Sequence, residues 1–121
     1  MNKVILIGHV GADPVLKDAN GTSVVSVSLA TKESYKDKEG NWKNITDWHT
    51  IEIWGKSAEA FAKVVGKGDL IAIEGANKTK VSDGKEGAKH YNTRVVVSSF
   101  QVHAKKGKAS EIPEDAPQEQ E

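Results

Sequence analysis

Cysteine is absent from this chain of 121 residues, which excludes disulfides and thiolate metal sites. Long apolar runs are absent too. The segment Val4-Ile5-Leu6-Ile7 is far too short to span a bilayer. Met1-Asn2-Lys3 leads straight into it, without the layout of a signal peptide. These absences fit a cytoplasmic protein with no membrane partner. Arginine is nearly missing, Arg94 being the single one, so bidentate reading of base edges, typically an arginine task, has little to work with. No internal repeat is visible. Net charge is also absent, but only in the sum. Residues 1–110 hold all 17 basic side chains and 12 acids, a net +5, whereas residues 111–121 hold five acids and no base, a net −5. A basic body with an acidic end suggests a polyanionic ligand and a tail that competes for the same surface, or simply a solvated end.

Aromatic residues make up 6% of the chain, yet Trp42, Trp48 and Trp54 all fall in one short stretch rich in lysine and hydroxyl groups. Its second half alternates like a strand. Thr46, Trp48, Thr50, Glu52 and Trp54 lie on one face, and Asp47, His49, Ile51 and Ile53 on the other. Ile51 and Ile53 belong in a core, which leaves Trp48 and Trp54 on the wetter face, about 20 Å apart along an extended strand. Flat rings on a polar face beside ammonium groups suit stacking of unpaired nucleobases next to their phosphates.

The rest of the chain supplies a frame for this strand. Residues 3–10 read as a strand buried on both faces (Val4, Leu6 and Val10 on one, Ile5 and Ile7 on the other), interrupted by Gly8 and Gly11. Asn20-Gly21 is a tight turn. The half-buried strand from Thr22 to Thr31 follows, and Asp37 to Asn41 form a loop. Ser57 is placed to cap a short helix with an apolar stripe of Ala58, Phe61, Val64 and Val65. A fourth strand runs from Leu70 through Gly75 to Lys80, and a fifth from Tyr91 to Val102. Phe61 and Phe100 are core candidates. From about Lys105 onward periodicity stops and Pro, Gln and Glu dominate, the composition of a disordered acidic tail. The expected organisation is one domain over residues 1–104 and a tail over 105–121. Three strands, a helix and two strands are the connectivity of the OB-fold, an all-β, five-stranded Greek-key barrel with one short helix between its third and fourth strands.

Specific residues extend this reading. The opening Met1-Asn2-Lys3-Val4-Ile5-Leu6-Ile7-Gly8-His9-Val10-Gly11-Ala12-Asp13-Pro14 resembles that of the bacterial single-stranded DNA-binding protein family. Asn20-Gly21, Ser28-Leu29-Ala30-Thr31, Thr46-Asp47-Trp48-His49, Trp54-Gly55-Lys56, Lys67-Gly68-Asp69 and Ile73-Glu74-Gly75 follow in order with family-like spacing, so the resemblance covers roughly residues 1–103. It implies an OB-fold, usually a homotetramer, that wraps single-stranded DNA without sequence preference in replication, recombination and repair. That would place it with the nucleoid. The family's stacking aromatics map onto Tyr35, Trp48 and Trp54. Its basic positions map onto Lys56, Lys78 and Lys80, with Lys17 and Lys67 as further candidates, and His49 maps near a subunit contact. The chain departs from the family at Ser82, where a further aromatic often stands, and at Trp42, which has no strong counterpart. In the tail, Glu111-Ile112-Pro113-Glu114-Asp115 resembles the acidic tip that recruits replication and repair proteins, but no phenylalanine follows. Such departures fit a divergent member of the kind carried by phages or plasmids.

Rival readings differ in class. An enzyme would need a nucleophile or a third ligand beside Asp47 and His49, and no local motif supplies either, so no catalytic residue, metal or cofactor is expected. An assembly module would dock proteins through an intact tail tip. An OB-fold that binds structured RNA would prefer folded RNA to oligo-dT.

Overall fold

The computed structural model describes residues 1–106. In chain order it contains β1 (Val4–Val10), β2 (Lys17–Ala19), β3 (Thr22–Lys36), β4 (Trp42–Trp54), α1 (Lys56–Val64), β5 (Leu70–Asp83), a 3-10 turn over Lys85–Gly87, and β6 (Lys89–Ala104). The strands pair in the order β1-β5-β6-β4-β3, and β1 returns to β3, so five strands close into a barrel. The β4–β6 pairing is parallel and the others are antiparallel. This is the expected OB barrel, with α1 between its third and fourth barrel strands. One strand is additional: β2 forms a short hairpin with β3, turned by Asn20 (φ 54) and Gly21 (φ 85). Positive φ at both central residues gives a turn whose twist matches its strands. The expected tail lies outside the described residues, apart from its first two.

The core follows the alternation. Val25, Val27 and Leu29 of β3, Ile51 and Ile53 of β4, Ile71 and Ile73 of β5, and Val95 and Val97 of β6 all point inward. Phe61 of α1 plugs one end of the barrel and meets Phe100 edge-on, with ring centroids 5.0 Å apart. Gly8 is where β1 crosses to β3, and any Cβ there would collide with the carbonyl oxygen of Ala30.

Three expectations need correction. Ser57 does not cap α1. The helix starts two residues earlier, at Lys56 behind Gly55, whose carbonyl accepts from the N–H groups of Ala58 and Glu59. Val64 is exposed, because the buried stripe is Ala58, Phe61, Ala62 and Val65, and at about 100° per residue Val64 falls well off its midline. β1 is buried on one face only: Ile5 is 66% and Ile7 59% exposed. Its outward face is apolar, but a single chain has no second layer to cover it.

Two ribbons stand out from the barrel. Beyond Thr31 and Asp47, the described pairings of β3 and β4 are only with each other, down to Lys36 opposite Trp42. The outer halves of β5 and β6 pair in the same way from Lys78 opposite Arg94 to Asp83 opposite Lys89. Where β6 ends, the buried Asp69 carboxylate accepts from Lys105 Nζ (2.6 Å), Lys106 N (2.9 Å) and Gly66 N (2.8 Å). This fastens the last strand to the α1–β5 turn.

Candidate nucleic-acid interface

Residues directly opposite in a ladder share a face, so register sorts side chains into rows. The β3–β4 ladder is unbroken from Val24 opposite Trp54 to Lys36 opposite Trp42. Ile51 and Ile53 point inward, so Trp54, Glu52, Thr50 and Trp48 point outward together with Val24, Ser26, Ser28 and Ala30. Trp54 is 41% exposed and Trp48 is half-buried. Lys17 pairs with Val24, so Lys17, Val24 and Trp54 form one row across β2, β3 and β4. At one strand spacing per step, the ends of that row are about 10 Å apart.

A second row comes from the other side of the sheet. Val95 and Val97 point inward, so Arg94 points outward, opposite Lys78, and Asn92 follows opposite Lys80. The parallel pairing of Glu52 with Val96 brings this row beside β4. There Glu52 Oε1 accepts from Trp54 Nε1 and forms an ion pair with Arg94 Nε, each at 3.1 Å. The carboxylate therefore holds the indole by its polar edge and neutralises the guanidinium. Lys78 and Lys80 have no such carboxylate partner among the described ion pairs.

A third row crosses β1: His9 pairs with Ala30, which pairs with Trp48. The pKa of His9 lies below the ordinary histidine value, because burial penalises the charged ring and because Lys32 stands nearby. These three rows thus combine two indoles, Lys17, Lys78 and Lys80, an arginine paired with Glu52, and an imidazole whose pKa is lowered. It can stack flat rings and neutralise phosphates. Among the described residues, no cluster of His, Cys, Asp or Glu could hold a metal ion. Nor is any helix long and apolar enough to cross a membrane.

Comparison with known proteins places this architecture. The model of the single-strand binding protein family matches residues 1–103. The chain belongs to that family. It is 43% identical over 104 residues to single-stranded DNA-binding protein 1 of Chlorobaculum tepidum, covering 84% of this chain and 64% of that relative. It is 39% identical over 108 residues to single-stranded DNA-binding protein 1 of Xylella fastidiosa, covering 88% and 79%. The chain therefore spans less than two thirds of the first relative's length. The structure of a Plasmodium falciparum SSB in complex with ssDNA superposes with a TM-score of 0.77 at 28% identity, covering 85% of this chain and 95% of that one. A deletion mutant of the single-stranded DNA binding protein from Thermus aquaticus shares the fold, with a TM-score of 0.77 at 23% identity, covering 88% and 52%.

The remaining family-mapped residues are dispersed. Tyr35 is 47% exposed but pairs with Lys43, on the opposite face of the ribbon from Trp48 and Trp54. Lys56 is exposed at the start of α1, two residues beyond Trp54. Lys67 lies in the α1–β5 turn, where its backbone N–H donates to Asp13 Oδ1 (2.8 Å), and it belongs to none of the rows. His49 is half-buried on the core side and its Nε2 lies 2.9 Å from Thr31 Oγ1. Reading the sequence placed Glu52 on the face but passed over Arg94 and His9 as its members. The available signal was parity with the inward valines and isoleucines, which becomes usable only once the pairings are known.

Proposed function

We propose that this chain binds and protects single-stranded DNA without sequence preference, as a family member serving replication, recombination and repair at the nucleoid. The observation that carries the reading is the row of Lys17, Val24 and Trp54 beside Lys78 and Arg94. It sets an exposed indole two strand spacings from Lys17 and links it, through the shared Glu52 carboxylate, to the Arg94–Lys78 pair on the same outward face. Bases stack on Trp48 and Trp54, with Tyr35 receiving the strand where it rounds the ribbon edge. Phosphates are met by Lys17, Lys56, Lys78 and Lys80, and by Lys67 if the strand continues past α1. Stacking accepts every base, so preference among bases is weak.

The protein acts as a homo-oligomer, a tetramer on the family pattern. The exposed Ile5 and Ile7 of β1, flanked by Ala72 of β5, form an apolar strip that a second copy covers. His49 is a candidate for a further subunit contact. Recruitment of replication proteins through the tail is a separate reading that rests on Ile112-Pro113 alone.

Titration with oligo-dT, followed by tryptophan emission and light scattering, tests both parts. Trp54→Ala is expected to weaken binding by about 1–3 kcal/mol, the range of base–aromatic stacking, with the melting temperature nearly unchanged. Ile7→Lys is expected to lower the scattering mass. Unaltered oligo-dT affinity in Trp54→Ala would overturn the assignment of this face.

A further inference from the structure

Trp42 is the tryptophan that the family pattern leaves without a role. The unbroken β3–β4 register puts it on the same outward face as Trp48 and Trp54, because all three are separated by even steps along one strand. The rings therefore stand in line at intervals of six residues, about 20 Å each. Trp42 is 69% exposed, more than either of the others. A ring with that exposure stabilises the hairpin little, so packing within the ribbon does not explain it. The side chain over it is Lys36, its cross-strand partner, with Nζ 5.7 Å from the ring centroid. Lys32 follows on the same face, between Lys36 and the Ala30–Trp48 row.

The tip that carries Trp42 is built. Asp37 Oδ1 accepts from the backbone N–H groups of Glu39 (2.9 Å) and Asn41 (2.8 Å), and Asp37 N donates to Asn41 O (2.8 Å). Two pairs nearer the barrel than Lys36–Trp42, Ser34 Oγ donates to Asn44 Oδ1 (2.8 Å). The loop therefore closes on itself, and Trp42 starts from a fixed backbone position at the far end of the ribbon.

We propose that Trp42 and Lys36 form a distal nucleotide subsite, in which a base of single-stranded DNA stacks on the indole while Lys36 moves from the ring to the adjoining phosphate. This rests on the reading of the outer face as the DNA path. The ligand follows from the chemistry shared along that face: a flat ring paired with a lysine, repeated in line with the rings nearer the barrel. The ammonium already lies beside the ring, so one nucleotide can occupy both groups. The consequence is a dependence on length. Short oligonucleotides fill the platforms near the barrel, and only longer ones reach the ribbon tip.

The test uses the full chain. In Trp48→Phe/Trp54→Phe, Trp42 is the sole indole and the stacking faces are retained. Long oligo-dT is expected to quench its emission, and oligomers too short to reach the tip are not. In the otherwise unaltered protein, Trp42→Ala should weaken long oligo-dT by about 5- to 150-fold, as loss of one stacked base does, and Trp42→Phe should restore much of it. Lys36→Ala should lower the slope of log affinity against log salt by about 0.7. Trp54→Ala is the control for the face as a whole. If it weakens binding while Trp42→Ala does not, and Trp42 emission ignores DNA of every length, the distal subsite is refuted and the DNA path near the barrel stands. If neither variant changes affinity, both readings fall together. A change of scattering mass in Trp42→Ala, with DNA affinity per oligomer unaltered, would assign the ring to a subunit contact and overturn the proposal.

Discussion

Glu52 places a negative charge in the middle of a face that otherwise favours phosphate. Its carboxylate is shared between the Trp54 indole and Arg94 at 3.1 Å each, so removing it has two opposed effects. The ring loses an anchor, and a guanidinium is released toward DNA. Glu52→Gln separates them, since the amide oxygen still accepts from the indole while the charge is gone. Oligo-dT binding of that variant should tighten at low salt, with a salt dependence steeper by about 0.7, one extra phosphate contact. Glu52→Ala should recover less of the gain. An unchanged slope in Glu52→Gln would mean that Arg94 never meets a phosphate. His9 makes a prediction of a different kind. Burial and Lys32 hold its pKa below the ordinary value in the free protein, and a phosphate brought to the Trp48 row would raise it. The complex then binds more protons than the free protein, so affinity should increase as pH falls through the histidine range. Dissociation constants measured between pH 8 and 5.5 should show this trend in the parent and a weaker one in His9→Gln. Equal trends would remove His9 from the face.

Whole strands were legible from parity, and their partners were not. The alternation of Thr46 to Trp54 predicts the observed division, with Ile51 and Ile53 fully buried and Trp54 outward, because β4 runs without a bulge. β6 hides its division. Phe100 and Val102 lie toward the core at even positions, whereas Val97 and Val95 do so at odd ones. The switch comes from a register shift in which Glu74 pairs with Ser99 and Gly75 with Val97, leaving Ser98 as the extra residue. Arg94 could not be assigned a face until that shift was known. Tyr35 was placed by resemblance alone, and its pairing with Lys43 sets it across the ribbon from the tryptophans. The three-residue β2, which brings Lys17 into the Trp54 row, is too short to leave a periodic signal. At this scale Asp69 controls how β6 is fastened. Burial alone would raise its pKa. Hydrogen bonds from Lys105 and from the backbone N–H groups of Lys106 and Gly66, with the Lys105 charge, hold it below the ordinary value. A depressed folded-state pKa means that the carboxylate's stabilisation is present above the unfolded-state value and is lost as pH falls through the folded one. Acid titration of thermal stability should therefore show a loss below about pH 4 that is missing in Asp69→Asn. That variant should itself be less stable at neutral pH by roughly 1–3 kcal/mol, the cost of leaving a buried polar group poorly paired. Matching acid profiles in parent and variant would show that other carboxylates govern the transition.

For the molecule as a whole, the decisive quantity is the division of charge, +5 over residues 1–110 against −5 over residues 111–121. The acidic segment is tethered to the basic body, so its effective concentration near any cationic face is high whatever its conformation. On the proposed DNA path, DNA would compete with it for Lys17, Lys78 and Lys80. Ending the chain after Ser110 should therefore tighten oligo-dT binding at low ionic strength, and should do so equally for dT, dA and dC, since the competition is between charges and not between bases. Screening sets how far the gain extends. The Debye length shrinks to about 8 Å near physiological salt, so the affinities of the full-length and shortened chains should converge as salt rises. Neutralising Glu111, Glu114, Asp115, Glu119 and Glu121 to glutamine or asparagine without shortening the chain should reproduce the effect. If truncation tightens binding and charge neutralisation does not, the tail obstructs the face by its bulk. If neither changes affinity at low salt, the acidic segment does not reach the DNA face, and its charge serves only solvation.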